Sequence, residues 1–294
     1  MRRYGDFDCS NFFDQPPPVP EGDTIYRAAQ ALNRALAGGT VVRFESVYPG
    51  VMRVADKHPV IGRTVESVSA HGKHLLIAFS GGLVLRTHMR MNGSWHLYRP
   101  GIRWQRPAHE MRVLVATAQA IAVGFNVPVA ELLTARELER HAQLRALGPD
   151  WLAPSFERTE ALRRMRARGT DEIADVLLNQ RVAAGIGNVF KSEILFLARV
   201  HPFTPVSALS DDALGRIADI AREQLSANVL PRSKTLNPFV GRRTTRSMDP
   251  NRRHWVYGRA GRPCRTCGAP ILVRKTGADA RTTYWCPTCQ TGPG

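Results

Sequence analysis

The spacing of apolar positions changes character twice along the chain. Ile25, Ala29, Leu32 and Leu36 follow one another at intervals of four, three and four, the period of one helix face. Asp23 or Thr24 stands where a capping oxygen is needed, and Gly38-Gly39 stops the helix. Seven short apolar runs then extend to about residue 125: VVRFESV, VESVSA, HLLIAF, LVLRTHM, SWHLY, VLVATA and AIAVGF. Separated by Gly, Pro and Asn, they predict an all-β region of sandwich or barrel type behind one N-terminal helix. After Leu147–Trp151 the texture turns helical, in FERTEALRRMRARG, DEIADVLLNQRV, VFKSEILFLARV and SDDALGRIADIAREQLSANVL. Pro202 and Pro205 separate the third from the fourth. A basic stretch with little predicted structure, Asn237 to Arg253, leads to two last strands, ILVRKT and RTTYW, around Gly277-Ala278-Asp279-Ala280. The order is β-rich, helical, hairpin, with no internal repeat: an α+β multidomain chain.

Length and composition narrow the class. At 294 residues the chain favours two domains of ~100–200 residues, each able to close a core. A hydrophobic content of 43% argues against general disorder. No run approaches the ~18 apolar residues of a membrane-spanning helix. The first eighteen residues, MRRYGDFDCSNFFDQPPP, lack the apolar core of an export signal, so a cytoplasmic protein without membrane association is expected.

Charge points to a partner. The chain carries 41 Lys+Arg against 25 Asp+Glu, a net +16, and more than half of that excess lies between Arg242 and Gly294. A concentration of this kind calls for a polyanion, with nucleic acid the first choice. Nearly all of it is arginine; the lysines are Lys57, Lys73, Lys191, Lys234 and Lys275.

The basic C-terminal segment also holds Cys264-x2-Cys267 and, eighteen residues on, Cys286-x2-Cys289. Two such knuckles supply four thiolates to one tetrahedral Zn²⁺. With every ligand a protein sulfur, no position is left open for water, so one structural zinc is expected, stapling the hairpin. Two disulfides are the alternative, disfavoured in a reducing cytosol. Gly268, after the first knuckle, suits a turn needing positive φ. Cys9 is left over. Elsewhere, Gln180–Lys191 reads as a helix ending near Val182, a tight Ala184-Gly185-Ile186-Gly187 turn and a new helix from about Asn188. Amides at such a helix start can hold a phosphate, though an ordinary helix corner has the same pattern.

Five segments occur in a telling order: Pro20-Glu21-Gly22-Asp23-Thr24, His71-Gly72-Lys73, THMRMNGSW, QRVAAGIGNVFKSEIL, and the four-cysteine hairpin with Arg281. Together they resemble the formamidopyrimidine-DNA glycosylase/endonuclease VIII family, closer to the endonuclease VIII branch, from Pro20 to Gln290. The resemblance implies a β-sandwich catalytic domain over 19–135, a helix-two-turn-helix domain over 148–245 and a zinc finger over 250–294. It also implies a monomeric, bifunctional DNA glycosylase/AP lyase of bacterial base excision repair, acting on damaged double-stranded DNA and cutting by β,δ-elimination. Pro20 would be the nucleophile through a free N-terminal amine, Glu21 the general acid or base, and Lys73 the phosphate contact that assists elimination. Arg281 would grip the lesion phosphates and take part in strand cleavage. Asn188 would bind the backbone beside the lesion, and Arg90-Met91-Asn92 would fill the gap left by the extruded nucleotide. Met91 also reads as a plain core methionine.

The chain departs from the family at informative places. Pro20 is preceded by Val19, and an internal prolyl nitrogen is an amide without nucleophilic character. A GTG codon reads as valine internally but as methionine at a start, so initiation at position 19 and removal of the initiator would expose Pro20, leaving 1–18 an artefact of the gene assignment. A genuine extension would instead imply a non-catalytic zinc-ribbon/helix-turn-helix DNA-binding protein, or one that needs cleavage. Thr24 replaces a glutamate common in relatives, and Phe190 a common tyrosine. Arg90-Met91 resembles the formamidopyrimidine branch, whereas the opening motif and AGIGNVFKSEIL favour oxidised pyrimidines, the expected lesion class.

Overall fold

The computed structural model describes residues 20–229, 242–247, 249–276 and 280–291. The 1–18 extension with Cys9, Val19, residues 237–241 and 248 of the basic stretch, and hairpin-turn residues 277–279 lie outside the described residues. The chain runs α1 (Gly22–Leu36), β1 (Val41–Ser46), α2 (Pro49–Lys57), β2 (Val65–His71), β3 (His74–Phe79), β4 (Leu83–His88), β5 (Ser94–Tyr98), β6 (Met111–Thr117), β7 (Ile121–Phe125) and β8 (Val129–Thr134). Helices α3 (Ala135–Glu139), α4 (Ala142–Arg145), α5 (Arg158–Arg166), α6 (Ile173–Leu178), α7 (Asn188–Ala198) and α8 (Asp211–Val229) follow, and the hairpin β9 (Leu272–Thr276) and β10 (Arg281–Trp285) comes last.

Two antiparallel four-stranded sheets, ordered β1-β6-β7-β5 and β2-β3-β4-β8, make the β-rich part a sandwich. Leu75, Ile77 and Phe79 alternate along β3 and point inward with Val113, Val115 and Ala122 from the other sheet. Helix α1 adds Ile25, Leu32 and Leu36 to the same core, as its spacing predicts. Strand pairing sets the working end. His74 pairs with His88, while Ser94 and Met111 both pair with Phe125, so the β2–β3 turn, the β4–β5 loop and the start of β6 share one end of the sandwich.

Some elements were not visible in the periodicity. Helix α2 starts on Pro49 and buries only Val51, too little for a stripe. Strand β8 carries Glu131 in its middle, which breaks the apolar run. Helix α6 ends at Leu178, short of Val182, because Asn179 turns extended at ψ 103°. The N-cap of α1 is Glu21, with no side-chain cap bond, rather than Asp23 or Thr24.

A second core, built on Trp151, Met165, Ile173, Phe190, Ile194, Leu214, Ile217 and Leu225, gathers α5 to α8. Helix α7 lies at its centre and extends to the finger. There Phe196 packs with Val256, Cys264, Ile271 and Cys286 and stacks on Trp255 at 5.6 Å. Glu193, fully buried, accepts the N–H groups of Trp255, Val256 and Tyr257 at 2.8–2.9 Å and the Thr244 hydroxyl. The middle of the basic stretch is therefore held in place: Arg242, Arg243 and Thr244 are buried.

The four cysteine sulfurs lie within 4.8 Å of one another, with Cys267–Cys286 at 3.4 Å and Cys264–Cys289 at 3.9 Å. Four thiolates at about 2.3 Å from one Zn²⁺ stand roughly 3.8 Å apart, so the set fits a closed structural site. Gly268 takes φ +80°, as its place after the knuckle predicts. Removing the metal with a chelator at neutral pH should unfold the hairpin and release Trp255 and Trp285 from their packing, because the metal supplies the folding free energy of so small a core. The check is a red shift of tryptophan emission, reversed by added Zn²⁺, with the helical circular dichroism largely kept.

Candidate active site at the junction of the three parts

The residues after Pro20 reach out of the sandwich into the helical part. Gly22 N–H donates to Gly185 O at 2.8 Å, and a Cβ on Gly22 would come within 2.9 Å of Gly185 Cα. Such close approach puts Glu21 against the start of α7. Its carboxylate, 1% exposed, accepts the N–H groups of Gly187 (2.9 Å), Val189 (2.8 Å) and Phe190 (3.3 Å). These amides have no partner within the helix, and the positive end of the helix dipole favours the anion. A side chain at Gly187 would overlap the Glu21 carboxyl, so this contact requires glycine there. The helix start is thus occupied by the protein's own carboxylate, and these three amides are not open to a phosphate.

Arg242 closes the other side of Glu21 at 3.4 Å and grips buried Asp23 with two nitrogens, at 2.5 and 3.1 Å. Its guanidinium also lies over the Phe190 ring, 4.8 Å from the centroid. Burial alone would raise the Asp23 pKa, but Arg242 holds it below the ordinary value of 3.8. Burial likewise opposes the charge on Arg242, and Asp23 and Glu21 more than restore it. Sequence reasoning did not find Arg242. It sits in a stretch read as having little structure, and its acids are some 220 positions away, so no local signal marked it.

Lys73 occupies the two-residue turn between His71 and His74, and Gly72 N–H donates to Asp150 Oδ2 at 2.6 Å, tying that turn to the helical part. Burial brings the Lys73 pKa down to about 8; the charge of Glu21 opposes this, while Arg281 and Arg242 add to it. Lys73 therefore feels the charges of Glu21, Arg242 and Arg281. Lys191, on α7, is also held down to about 8 by burial, and its Nζ donates to Thr283 Oγ1 at 2.7 Å, joining α7 to the strand that starts with Arg281. Asn188, the first residue of α7, has a buried Oδ1 without a partner among the described residues, and its side chain meets the Tyr257 hydroxyl.

The β4–β5 loop separates two methionines that look alike in sequence. Met89 is 2% exposed and belongs to the core, whereas Met91 is 50% exposed between exposed Arg90 and Asn92. The core reading of Met91 is thereby excluded. Pro20 is half-buried beside Glu21. The structure thus gathers Pro20, Glu21, Lys73, Asn188 and Arg281 around the start of α7, places Arg90–Asn92 at the same end of the sandwich, and keeps the four cysteines apart as a support for β10. Among the described residues no helix is long and apolar enough to cross a membrane.

Comparison with known proteins identifies the three parts. Residues 19–128 match the formamidopyrimidine-DNA glycosylase N-terminal domain, 147–237 its H2TH domain, and 261–292 the zinc finger found in FPG and IleRS. The chain is 42% identical to the probable endonuclease 8 2 of Streptomyces coelicolor over 94% of this chain and 95% of that protein. It is 36% identical to the DNA-(apurinic or apyrimidinic site) lyase Nei2 of Mycolicibacterium smegmatis, covering 93% and 99%. Its fold is similar to that of Lactococcus lactis Fpg solved with N7-benzyl-Fapy-dG containing DNA, with a TM-score of 0.76, 24% identity, and coverage of 92% and 100%.

Arg242→Met should deprive two buried carboxylates of their shared guanidinium, leaving Glu21 its three amides and Asp23 the longer Arg27 pair, and cost about 3 kcal/mol of stability, read as a lower melting temperature. Asp23, lowered in the fold, contributes stability that is present above its ordinary 3.8 and lost as pH falls through its depressed value. The gap between wild type and variant should therefore narrow in acid.

Proposed function

The chain belongs to the formamidopyrimidine-DNA glycosylase/endonuclease VIII family, and on that premise we propose that it is a bifunctional DNA glycosylase/AP lyase of base excision repair, with oxidised pyrimidines in duplex DNA as its main lesions. The observation that carries this reading is the contact of Glu21, next to Pro20, with the start of α7, within reach of the charges of Lys73, Arg242 and Arg281.

The secondary amine of Pro20 attacks C1′ of the damaged nucleotide and displaces the base, the C1′–O4′ bond opens to leave a cationic iminium, loss of the acidified C2′ proton expels the 3′-phosphate, and a second elimination expels the 5′-phosphate. An α-amino group titrates near ~8 and is partly neutral at cellular pH, unlike an ordinary lysine near ~10.4. Glu21 acts as general acid or base in base release and sugar-ring opening, oriented by its three amides. Lys73 and Arg281 neutralise the phosphates beside the lesion, the guanidinium of Arg281 suiting a bridge between two of them. Asn188 supplies an amide to the backbone, and Met91 enters the stack vacated by the extruded nucleotide, flanked by Arg90 and Asn92. A single structural Zn²⁺ on Cys264, Cys267, Cys286 and Cys289 fixes the hairpin behind Arg281, and the protein works as a monomer.

The nucleophile requires Pro20 to be the first residue of the working enzyme, which intact mass of the protein from its own cells reads directly. Protein beginning at Pro20 should form a borohydride-trapped covalent adduct with duplex carrying an oxidised pyrimidine, and protein beginning at Met1 should not. A Pro20→Gly variant that keeps full strand-cleaving activity refutes the proline mechanism.

Lys73 adds a pH test. The ammonium form pairs with phosphate, is populated below about 8 and is lost above it. Affinity for a duplex with a non-cleavable abasic analogue should fall as pH rises through that value. Lys73→Arg, whose charge does not titrate, should flatten the profile.

A further inference from the structure

One polar cluster, built around a buried arginine, takes no part in the chemistry above. Arg86, 1% exposed in β4, lies on the sheet face opposite the Leu75, Ile77 and Phe79 core. Its guanidinium donates to Glu131 on β8, to Gln143 Oε1 on α4 at 2.6 Å and to His74 Nδ1 on β3 at 3.1 Å. Glu131 also meets His141 Nε2 at 3.1 Å. The Arg86 Nε is buried without a partner among the described residues.

The cluster links two working segments. His74 follows Lys73 directly, and its ring meets that of His88 edge-on, 4.9 Å between centroids at 75°. His88 ends β4, and its Nδ1 accepts the N–H of Arg90 at 3.0 Å; Arg90 sits at φ +46°, an unusual conformation for a side-chain-bearing residue. Donor counting fixes both rings. A guanidinium has no acceptor, so His74 Nδ1 must accept and its proton lies on Nε2. The Arg90 amide likewise makes His88 Nδ1 an acceptor, leaving Nε2–H as its donor. Burial pushes His74 down to about 3 and His88 to about 4, helped by Arg86 on the first and by Lys73 and Arg86 on the second, so both rings stay neutral at cellular pH.

Stability alone gives little reason to keep this arginine. A buried charge with an orphaned nitrogen is commonly matched or bettered by an apolar residue of similar volume. We propose that Arg86 is a positioning residue for the Arg90-Met91-Asn92 wedge: without touching DNA, it holds His74 and through it the His88 ring, which fixes the left-handed turn that presents Met91 at a set place relative to Lys73. The inference rests on the reading of Arg90–Asn92 as the wedge.

The test uses the full chain and a duplex with a tetrahydrofuran abasic analogue opposite 2-aminopurine, together with the lesion strand alone. Wild type should raise 2-aminopurine fluorescence on binding the duplex. Arg86→Met should lose most of that rise and bind the duplex about tenfold more weakly, with single-strand affinity changed less than about twofold. His74→Phe leaves the Arg86–Glu131 pair intact, removes the accepting nitrogen and should show the same split, which covers the case in which Arg86→Met does not fold. Equal losses on duplex and single strand, or an unchanged duplex response, overturn the role of Arg86. If wild type gives no fluorescence rise, the wedge reading falls first and this inference with it, a result distinguishable by the wild-type control alone.

Discussion

A helix that starts in a dry interior needs an acceptor for its first amides, and in this molecule a carboxylate more than 160 positions away supplies it. Glu21 on the amides of Gly187, Val189 and Phe190 is the contact on which the remaining geometry depends. It draws the first residues after Pro20 out of the sandwich and onto the helical part. The same helix then carries the third part on its far side, through Glu193 on the backbone of Trp255–Tyr257, Lys191 on Thr283 and Phe196 on Trp255. One helix of 11 residues, buried on nearly every side, thereby sets the distances between the proposed nucleophile, the phosphate contacts and the finger.

The charges follow a division of labour. Outside the basic C-terminal segment many arginines lie in surface pairs such as Arg163–Glu160 and Arg158–Asp219, which cancel their charge and contribute little to stability. Around the start of α7 the balance is different. Arg242 is committed to Asp23 and Glu21, while Lys73 stands near Glu21, Arg242 and Arg281 with a lowered pKa. Two tightly held acids with their own arginine leave the remaining cations oriented for an incoming anion. Direct ion pairs and helix amides offset the cost of desolvating these acids.

Much of the fold was legible because it is written locally. The four-three-four spacing of α1, the alternation in β3 and the paired cysteine knuckles each depend on neighbours within a few residues. Among the elements that were missed are α2, with one buried residue, β8, interrupted by Glu131, and the short helices α3 and α4, which bury none. The candidate site was legible only in part. The segment with Pro20 and Glu21, the Lys73 turn and Asn188 stand out as motifs, but Arg242 and Glu193 do not. They act on partners far along the chain, and nothing in their own surroundings marks them. Met89 and Met91 make the same point from the other side, since only the turn of the β4–β5 loop separates the core residue from the exposed one.

The amino-acid sequence by itself determined the order of the three parts, the strands and helices with a clear period, the four-sulfur metal site and the family to which these motifs point. Periodicity and spacing encode those features within short windows, where backbone geometry leaves few choices. The tertiary structure alone decided that Glu21 caps α7, that Arg242 neutralises the buried acids, that partial burial lowers the Lys73 pKa, and that Arg86 ties the Lys73 turn to the Met91 loop. Each of those outcomes is set by burial and by partners distant in sequence. Desolvation and charge pairing exist only once the chain has closed on itself.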